Sequence, residues 1–473
     1  MPAALAQTAF DVKTIATAQL RSATAGVLWP AVPDRIAADV LALLYQLEQS
    51  EWFPRELLGR RQLEQCAWLV RHAYAESPFF RSRLAASGIS PGQAFDERDF
   101  KALPILTRAE LLAHADEIHC AHVPREHGEV GLAQTSGSTG QIVQVRRTSI
   151  NQLFWLALGM RDHLWHRRDF RQTLAVVRAH TALRDDPEEA LRAGWGAPAT
   201  LLYPTGPCFT QPLSCDVATQ AAWLVRRDPG YLLTYPTNLA ALLAHFAQAG
   251  LELPSLKEVR TVGETLSDDV RARCREQWGV RVVDNYSSQE VGAIALECPH
   301  SGLYHAQAES LIVEVLDADG NDVAEGEIGR VVVTDLHNFA TPLIRYDLRD
   351  HAEVGPACSC GRGLPTLRRI LGRRRNMAVL PNGRRAWPLV GFARYREIAP
   401  VVQYQLVQHS LSEIEMRLVV THTLNASQER ALSNVVTDAL GHAFEVRFSY
   451  FSGELPRTTS GKFEEFMCLI DDA

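Results

Sequence analysis

A chain of 473 residues is too long for a single hydrophobic core, so two or more domains are expected. With 46% hydrophobic and 22% charged residues, its composition excludes a disordered or collagen-like chain. A net charge of −7 leaves no basic excess to follow a phosphate backbone, which argues against a dedicated nucleic-acid binder.

The first residues, Met1 to Asp11, lack the basic start and apolar stretch of a signal peptide. The sequence contains no apolar run long enough to suggest a membrane span. The expectation is a cytoplasmic protein without membrane contact. Its nine cysteines then read as reduced thiols or metal ligands rather than a disulfide framework.

Residues 1–55 are rich in Ala and Leu and carry no chemical motif. Leu63, Cys66, Val70 and Ala73 recur at helical spacing and predict a helix over Glu56–Ala75, ended by Pro78. Thr107 with Glu110 forms a capping-box pattern, so a second helix should start at Arg108. In the middle of the chain, strands at Val259–Val262 and Val280–Val283 flank a helix at Asp268–Trp278, the order of a parallel α/β unit. Leu311–Leu316 and Val331–Thr334 read as further strands, with a turn over Asp317–Asn321. Beyond the basic stretch Arg373-Arg374-Arg375 the pattern changes. Val401–Val407 is a strand, and Ile414, Met416, Leu418 and Val420 mark a half-buried one. A helix over Ala426–Phe444 and a strand over Glu445–Tyr450 follow. The fold expected is α/β: a large multi-layer N-terminal domain, residues 1–373, with parallel or mixed sheets, and a small α+β domain, residues 374–473.

Two groups of residues carry chemistry on their own terms. Thr135-Ser136-Gly137-Ser138-Thr139-Gly140 combines glycines, which permit tight turns, with hydroxyls, so that backbone and side-chain donors can converge on an anion. It lacks the Gly-Lys-Ser/Thr of a Walker loop, and the plain alternative is a flexible Ser/Gly loop. Cys298, His305, Cys358 and Cys360 make a Cys₃His set suited to a closed, structural Zn²⁺ site, with His300 as an alternative ligand. The plain alternative there is reduced core cysteines. Read singly, Glu290, Asp350 and Arg373 are surface ion-pair residues and Lys462 a solvated lysine.

Their order changes that reading. The Ser/Gly string is followed by Tyr286-Ser287-Ser288-Gln289-Glu290, by Ile344-Arg345-Tyr346-Asp347-Leu348-Arg349-Asp350, by Ile370-Leu371-Gly372-Arg373, and by Leu455-Pro456-Arg457-Thr458-Thr459-Ser460-Gly461-Lys462. This succession resembles the superfamily of adenylate-forming enzymes: acyl-CoA synthetases, peptide-synthetase adenylation domains and luciferases. Ser77-Pro78-Phe79-Phe80-Arg81, Glu297-Cys298 with Gly302-Leu303-Tyr304-His305, and Cys360-Gly361-Arg362 are similar to the phenylacetate–CoA ligase-like branch. The resemblance covers residues 55–470.

It implies a role for each position. Thr135 to Gly140, Thr139 among them, would hold the β- and γ-phosphates of ATP, and Glu290 would help coordinate Mg²⁺. Tyr286, next to Ser287, would stack on adenine, with Gly263 and Glu264 lining that pocket. Asp350 would accept hydrogen bonds from the ribose hydroxyls, and Arg373 would contact the nucleotide near a hinge. Lys462 would neutralise charge growing at the α-phosphate. The pattern departs from the family at Ser287, where glycine is usual, at Gln289, where Ser or Thr is usual, and at Arg375 and Asn376, where related ligases carry acidic residues. The implied reaction is ATP-dependent activation of a small aryl or apolar carboxylic acid, followed by transfer to CoA. Amide formation, loading of a carrier protein and adenylyl transfer without CoA are alternatives, as is a non-catalytic scaffold. A homodimer is left open.

Overall fold

Caps in the sequence decide where the helices begin. In the helix Arg55–Glu76 the buried face is Leu58, Cys66, Leu69, Val70 and Ala73. Pro78 does more than end it. Ser77 caps the next helix, Pro78–Ala86, by accepting from the Phe80 N–H at 3.3 Å, while Pro78 takes the first helical position, where a missing N–H is harmless. At the helix Arg108–Ala113, both halves of the Thr107/Glu110 capping box are formed.

The computed structural model describes residues 19–89, 94–134, 143–178, 191–192, 194–373, 377–386, 392–453, 455–456 and 463–470. A hairpin of β1 (Val130–Gln134) and β2 (Gln144–Thr148) stands beside the main sheet. That sheet has twelve strands: β3 (Leu174–Arg178), β4 (191–192), β5 (Cys208–Pro212), β6 (Tyr231–Thr234), β7 (Glu258–Val262), β8 (Arg281–Ser288), β9 (Gly292–Glu297), β10 (Tyr304–Ala306), β11 (Leu311–Leu316), β12 (Ile328–Asp335), β13 (Tyr346–Val354) and β14 (Thr366–Arg373). Their order is β11-β12-β13-β14-β10-β9-β8-β7-β6-β3-β5-β4.

The sheet changes character halfway across. Strands β5, β3, β6, β7 and β8 are parallel, whereas β8 to β11 are linked by antiparallel pairings. The parallel half is covered by helices Val217–Arg227, Pro236–Ala249 and Asp268–Trp278. Their apolar faces, including Trp223, Leu239, Leu242, Leu243, Phe246 and Cys274, pack with Leu232, Val259 and Val282 of the strands. Ser267 caps the last of these helices, and Gly279 in the left-handed conformation ends it.

A buried charged network pins the helix Ser149–Trp165 to this half. Asp162 accepts from Arg168 at 2.6 Å and from Arg260 of β7 at 2.8 Å. Arg168 in turn donates to Glu258 at 2.5 Å, and Arg281 of β8 reaches the other Glu258 oxygen at 2.9 Å.

After β14 the chain builds a second, smaller unit. A two-stranded ribbon, β15 (Ala378–Val379) and β16 (Arg385–Ala386), precedes a four-stranded sheet of β17 (Val401–Gln408), β18 (Glu413–Val420), β19 (Glu445–Tyr450) and β20 (Phe466–Cys468), in the order β19-β18-β17-β20. Helices Phe392–Ile398 and Ala426–Leu440 pack on it around a core that includes Tyr395, Leu406, Met416, Leu432 and Val436. The second helix stops short of the expected Phe444, because Gly441 at φ +65° closes it in a left-handed cap. The α/β class with a large mixed sheet and a smaller C-terminal unit is therefore as the sequence suggested. Among the described residues no helix is long and apolar enough to cross a membrane.

Candidate functional site

Open α/β sheets bind ligands beyond the carboxyl ends of their parallel strands, near a change in strand order. Here β6 and β7 end at neighbouring levels and β8 runs on past them, with Thr234 beside Thr261 and Thr261 beside Asp284. The segments that follow these strands hold several of the residues singled out in the sequence.

Gly263 turns the chain at φ +79° directly after β7, a conformation that suits glycine, and Glu264 follows. The helix Pro236–Ala249 has Pro at its start and Tyr235 at its cap position, with no side-chain cap of its own. Glu264 supplies one from a distance: Oε2 accepts from the Thr237 N–H at 3.1 Å and from the Thr237 hydroxyl at 2.7 Å. A carboxylate is favoured there by the free N–H groups and the positive end of the helix dipole. Its other oxygen, Oε1, accepts from the backbone N–H of Phe463 in the small unit at 2.9 Å.

Tyr286 lies near the end of β8 and Asp350 within β13, yet the phenol donates to Asp350 Oδ2 at 2.9 Å. Both residues sit at irregularities. The β8–β9 register shifts between Tyr286 and Ser287, and β13 shifts against β12 and β14 around residues 347–352. Arg349, next to Asp350, has φ +65°, rare for a side-chain-bearing residue. Bulges of this kind re-aim side chains at sheet positions used for function. Ser287 is exposed at the rim.

Glu290 is nearly buried, and its Oε1 is paired with Arg108 at 3.2 Å. The carbonyl of Gln289 accepts from Arg147 of β2. Burial holds the Arg147 guanidinium below its ordinary value, against the attraction of Asp335 and Glu290. Burial pushes the Asp335 carboxyl up to about 6, against backbone N–H bonds and the pull of Arg147. The hairpin β1–β2 is thereby fixed beside the Tyr286–Glu290 segment. The hairpin's connecting loop contains Thr135, Ser136, Gly137, Ser138, Thr139 and Gly140, which lie outside the described residues. Lys462 also lies outside them, as does the side chain of Arg373, whose backbone ends β14 opposite Asp350.

The structure thus gathers Gly263, Glu264, Tyr286, Glu290 and Asp350 at one end of the sheet. Arg108, Arg147, Thr237 and Phe463 join them and were not singled out from the sequence. Arg108 had a signal, since it opens a capped helix, but nothing local announced its partner. Between helix Pro236–Ala249 and strands β17 and β18 lies a cavity of about 250 Å³, walled in part by Ala240, Ala244, Val402, Tyr404 and Phe463.

A second group lies elsewhere on the sheet. Cys298 follows β9, His305 is in β10, and Cys358 and Cys360 are in the β13–β14 connection. Their ligand atoms all fall within 4.8 Å of one another. Cys298 and Cys358 sulfurs are 3.7 Å apart, and Cys360 Sγ is 3.3 Å from His305 Nε2. Tetrahedral zinc with bonds of ~2.3 Å requires sulfur–sulfur edges of roughly 3.7–3.8 Å, so the spacing fits that ion. His305 Nδ1 faces the Leu364 carbonyl at 3.4 Å, which orients Nε2 toward the sulfurs. His300 is exposed and does not belong to the group. All nine cysteines are free of disulfides.

Comparison with known proteins agrees with this picture. The CapK C-terminal domain family matches residues 392–467. The phenylacetate-coenzyme A ligase of Thermus thermophilus is 26% identical over 90% of this chain and 100% of its own length. Among solved structures, 2-hydroxyisobutyryl-CoA ligase in its postadenylation state, in complex with 2-HIB-AMP, matches with a TM-score of 0.71 at 20% identity, covering 90% of this chain and 92% of that one. The same enzyme with 2-HIB-AMP and CoA in the thioesterification state matches at 0.57, at 20% identity, over 89% of this chain and 91% of that one. With Gly263, Glu264, Tyr286, Glu290 and Asp350 gathered at one end of the sheet, the chain is similar in sequence and fold to the phenylacetate–CoA ligases and related adenylate-forming enzymes.

Proposed function

We propose that the chain is an AMP-forming acid–CoA ligase acting on an aryl or apolar carboxylic acid. The observation that carries this reading is the Tyr286–Asp350 bond beside Glu264 and Glu290. Residues from β7, β8 and β13 converge where a nucleotide would be bracketed by an aromatic ring, a ribose-binding carboxylate and a Mg²⁺ ligand. Asp350 accepts only, as two ribose hydroxyls require. Glu290 offers the hard oxygen that Mg²⁺ prefers, and Thr135 to Gly140 would hold the β- and γ-phosphates. Arg373 would lie near the nucleotide, since its backbone pairs with Asp350.

In the first step a substrate carboxylate oxygen attacks the α-phosphorus of ATP. The bond to the bridging oxygen breaks and pyrophosphate leaves. The acid would lie among the Tyr231–Ala241 region, the Gly263–Leu266 segment and Tyr286. In the second step the thiol sulfur of CoA attacks the activated carbonyl carbon. The bond to AMP breaks, AMP leaves and the thiol proton passes to solvent. Residues 1–373 and 374–473 would act as the fixed and the moving domain, turning about residues 373–376 between steps.

The test is pyrophosphate exchange and product analysis across a panel of carboxylic acids, with and without CoA. A CoA-dependent thioester with AMP release is expected. An amide, a stable adenylylated acid, or no ATP turnover with any acid would replace this reading. Asp350→Ala should raise the KM for ATP about tenfold, the weight of a charged hydrogen bond, and leave the KM for the acid unchanged. Unchanged ATP kinetics would remove Asp350 from the nucleotide site.

The Cys₃His group is proposed as a structural zinc site with no open position. Metal analysis should find about one zinc per chain, and Cys358→Ser should lower both that content and the melting temperature. A folded, stable protein purified free of zinc would refute it.

A further inference from the structure

The resemblance makes Lys462, within residues 374–473, the lysine that serves adenylation, so something must set its position when that unit is docked. Peptide geometry limits how far consecutive residues can stray: Lys462 and Phe463 have Cα atoms about 3.8 Å apart. Phe463 is buried, and its backbone N–H donates to Glu264 Oε1 at 2.9 Å, a bond between residues 199 positions apart in sequence. The other Glu264 oxygen caps the helix Pro236–Ala249 through Thr237. One carboxylate thus ties a rigid helix of the large domain to the residue that immediately follows Lys462. The Phe463 ring closes the cavity beside Pro236, Thr237 and Ala240, so backbone and side chain anchor at the same place.

From this geometry we infer that Glu264 is a positioning residue: it docks the small domain for adenylation by holding the Phe463 N–H, and this bond breaks before acyl transfer. This goes beyond lining an adenine pocket and rests on the two-step reaction proposed above. A bond present in one domain arrangement and absent in the other speeds only the step carried out in the first. Adenylation should therefore depend on it, and thioester formation from ready-made acyl-adenylate should not.

The experiment measures the two half-reactions separately in the full-length enzyme, pyrophosphate exchange for the first and CoA thioester formation from synthetic acyl-adenylate for the second. Glu264→Ala should lower the kcat of adenylation on the order of ten- to a hundredfold, the weight of a hydrogen bond to a charged group, with a much smaller change in the KM for ATP. Phe463→Pro, which deletes the N–H, should do the same, while Phe463→Ala, which keeps it, should retain most of the rate. The double variant Glu264→Ala/Phe463→Pro should be no slower than the worse single one, because both remove one bond. Glu264→Gln, with one carbonyl oxygen left to accept, should recover part of the adenylation rate.

Equal slowing of both half-reactions, additive effects in the double variant, or a rise in ATP KM without loss of kcat would each overturn the inference. Circular dichroism and melting temperature identify a variant that fails to fold. The proline and alanine pair at Phe463 then decides the matter without altering Glu264. Absence of both half-reactions in the unaltered enzyme would instead count against the ligase reading.

Discussion

Lys462→Ala is expected to slow adenylation on the order of a hundredfold or more while leaving thioester formation from supplied acyl-adenylate near its normal rate. The physical reason is that charge builds at the α-phosphate as pyrophosphate departs. A preorganised cation aimed there stabilises the transition state by roughly 3–4 kcal/mol. The lysine lies in a Ser/Thr/Gly-rich stretch that has no reason to carry a long cationic side chain for packing. It is followed at once by a residue docked on Glu264. Pyrophosphate exchange with the best acid of the panel provides the measurement. A variant that adenylates normally would remove Lys462 from the reaction, however well the rest of the site behaves.

The largest expected stability effect lies away from the chemistry, at Asp162. This carboxylate is fully buried and held in its charged form by Arg168 and Arg260, which more than offset burial. Asp162→Ala leaves two guanidinium groups inside the protein with one acceptor fewer, a loss of about 3–5 kcal/mol. Asp162→Asn, which keeps an acceptor, should lose less. Urea unfolding followed by tryptophan fluorescence measures the difference. A loss below about 1 kcal/mol would mean that the arginines find other partners or water. The network joins the helix Ser149–Trp165 to β7 and β8, so the same change should also loosen β7, which leads into Gly263, and β8, which carries Tyr286.

The parts of the fold that were legible in the sequence are those governed by local rules. Asp268–Trp278 was readable because Ser267 caps it, Gly279 ends it and apolar runs flank it. The strand Glu445–Tyr450 and the alternation of β18 were readable for the same kind of reason. What was not legible depends on partners far along the chain. Asp162 and Arg161 look like the solvated face of a helix, yet both are buried against groups 98 and 148 residues further along the chain. Arg147 looks like a surface cation in a basic stretch, but the fold sets it against Gln289. Glu264 could be placed near the nucleotide by motif, whereas its helix-capping role follows from an uncapped Tyr235 and its docking role from tertiary contact. The cysteine–histidine set was legible as chemistry. Its choice of His305 over His300 follows from strand β10 turning one imidazole inward.

The void between the helix Pro236–Ala249 and strands β17 and β18 bears on how readily the two halves part. Atoms facing empty space forgo the close contacts that hold a protein interior together, so little dispersion energy is lost when such surfaces separate. Small side chains such as Ala240 and Ala244 line one wall of it, and Val402 the other. On the two-step reaction proposed above, a domain that turns away between the steps is better served by a few directional bonds than by a tight fit. Filling the gap with bulkier residues should arrest the cycle after its first half.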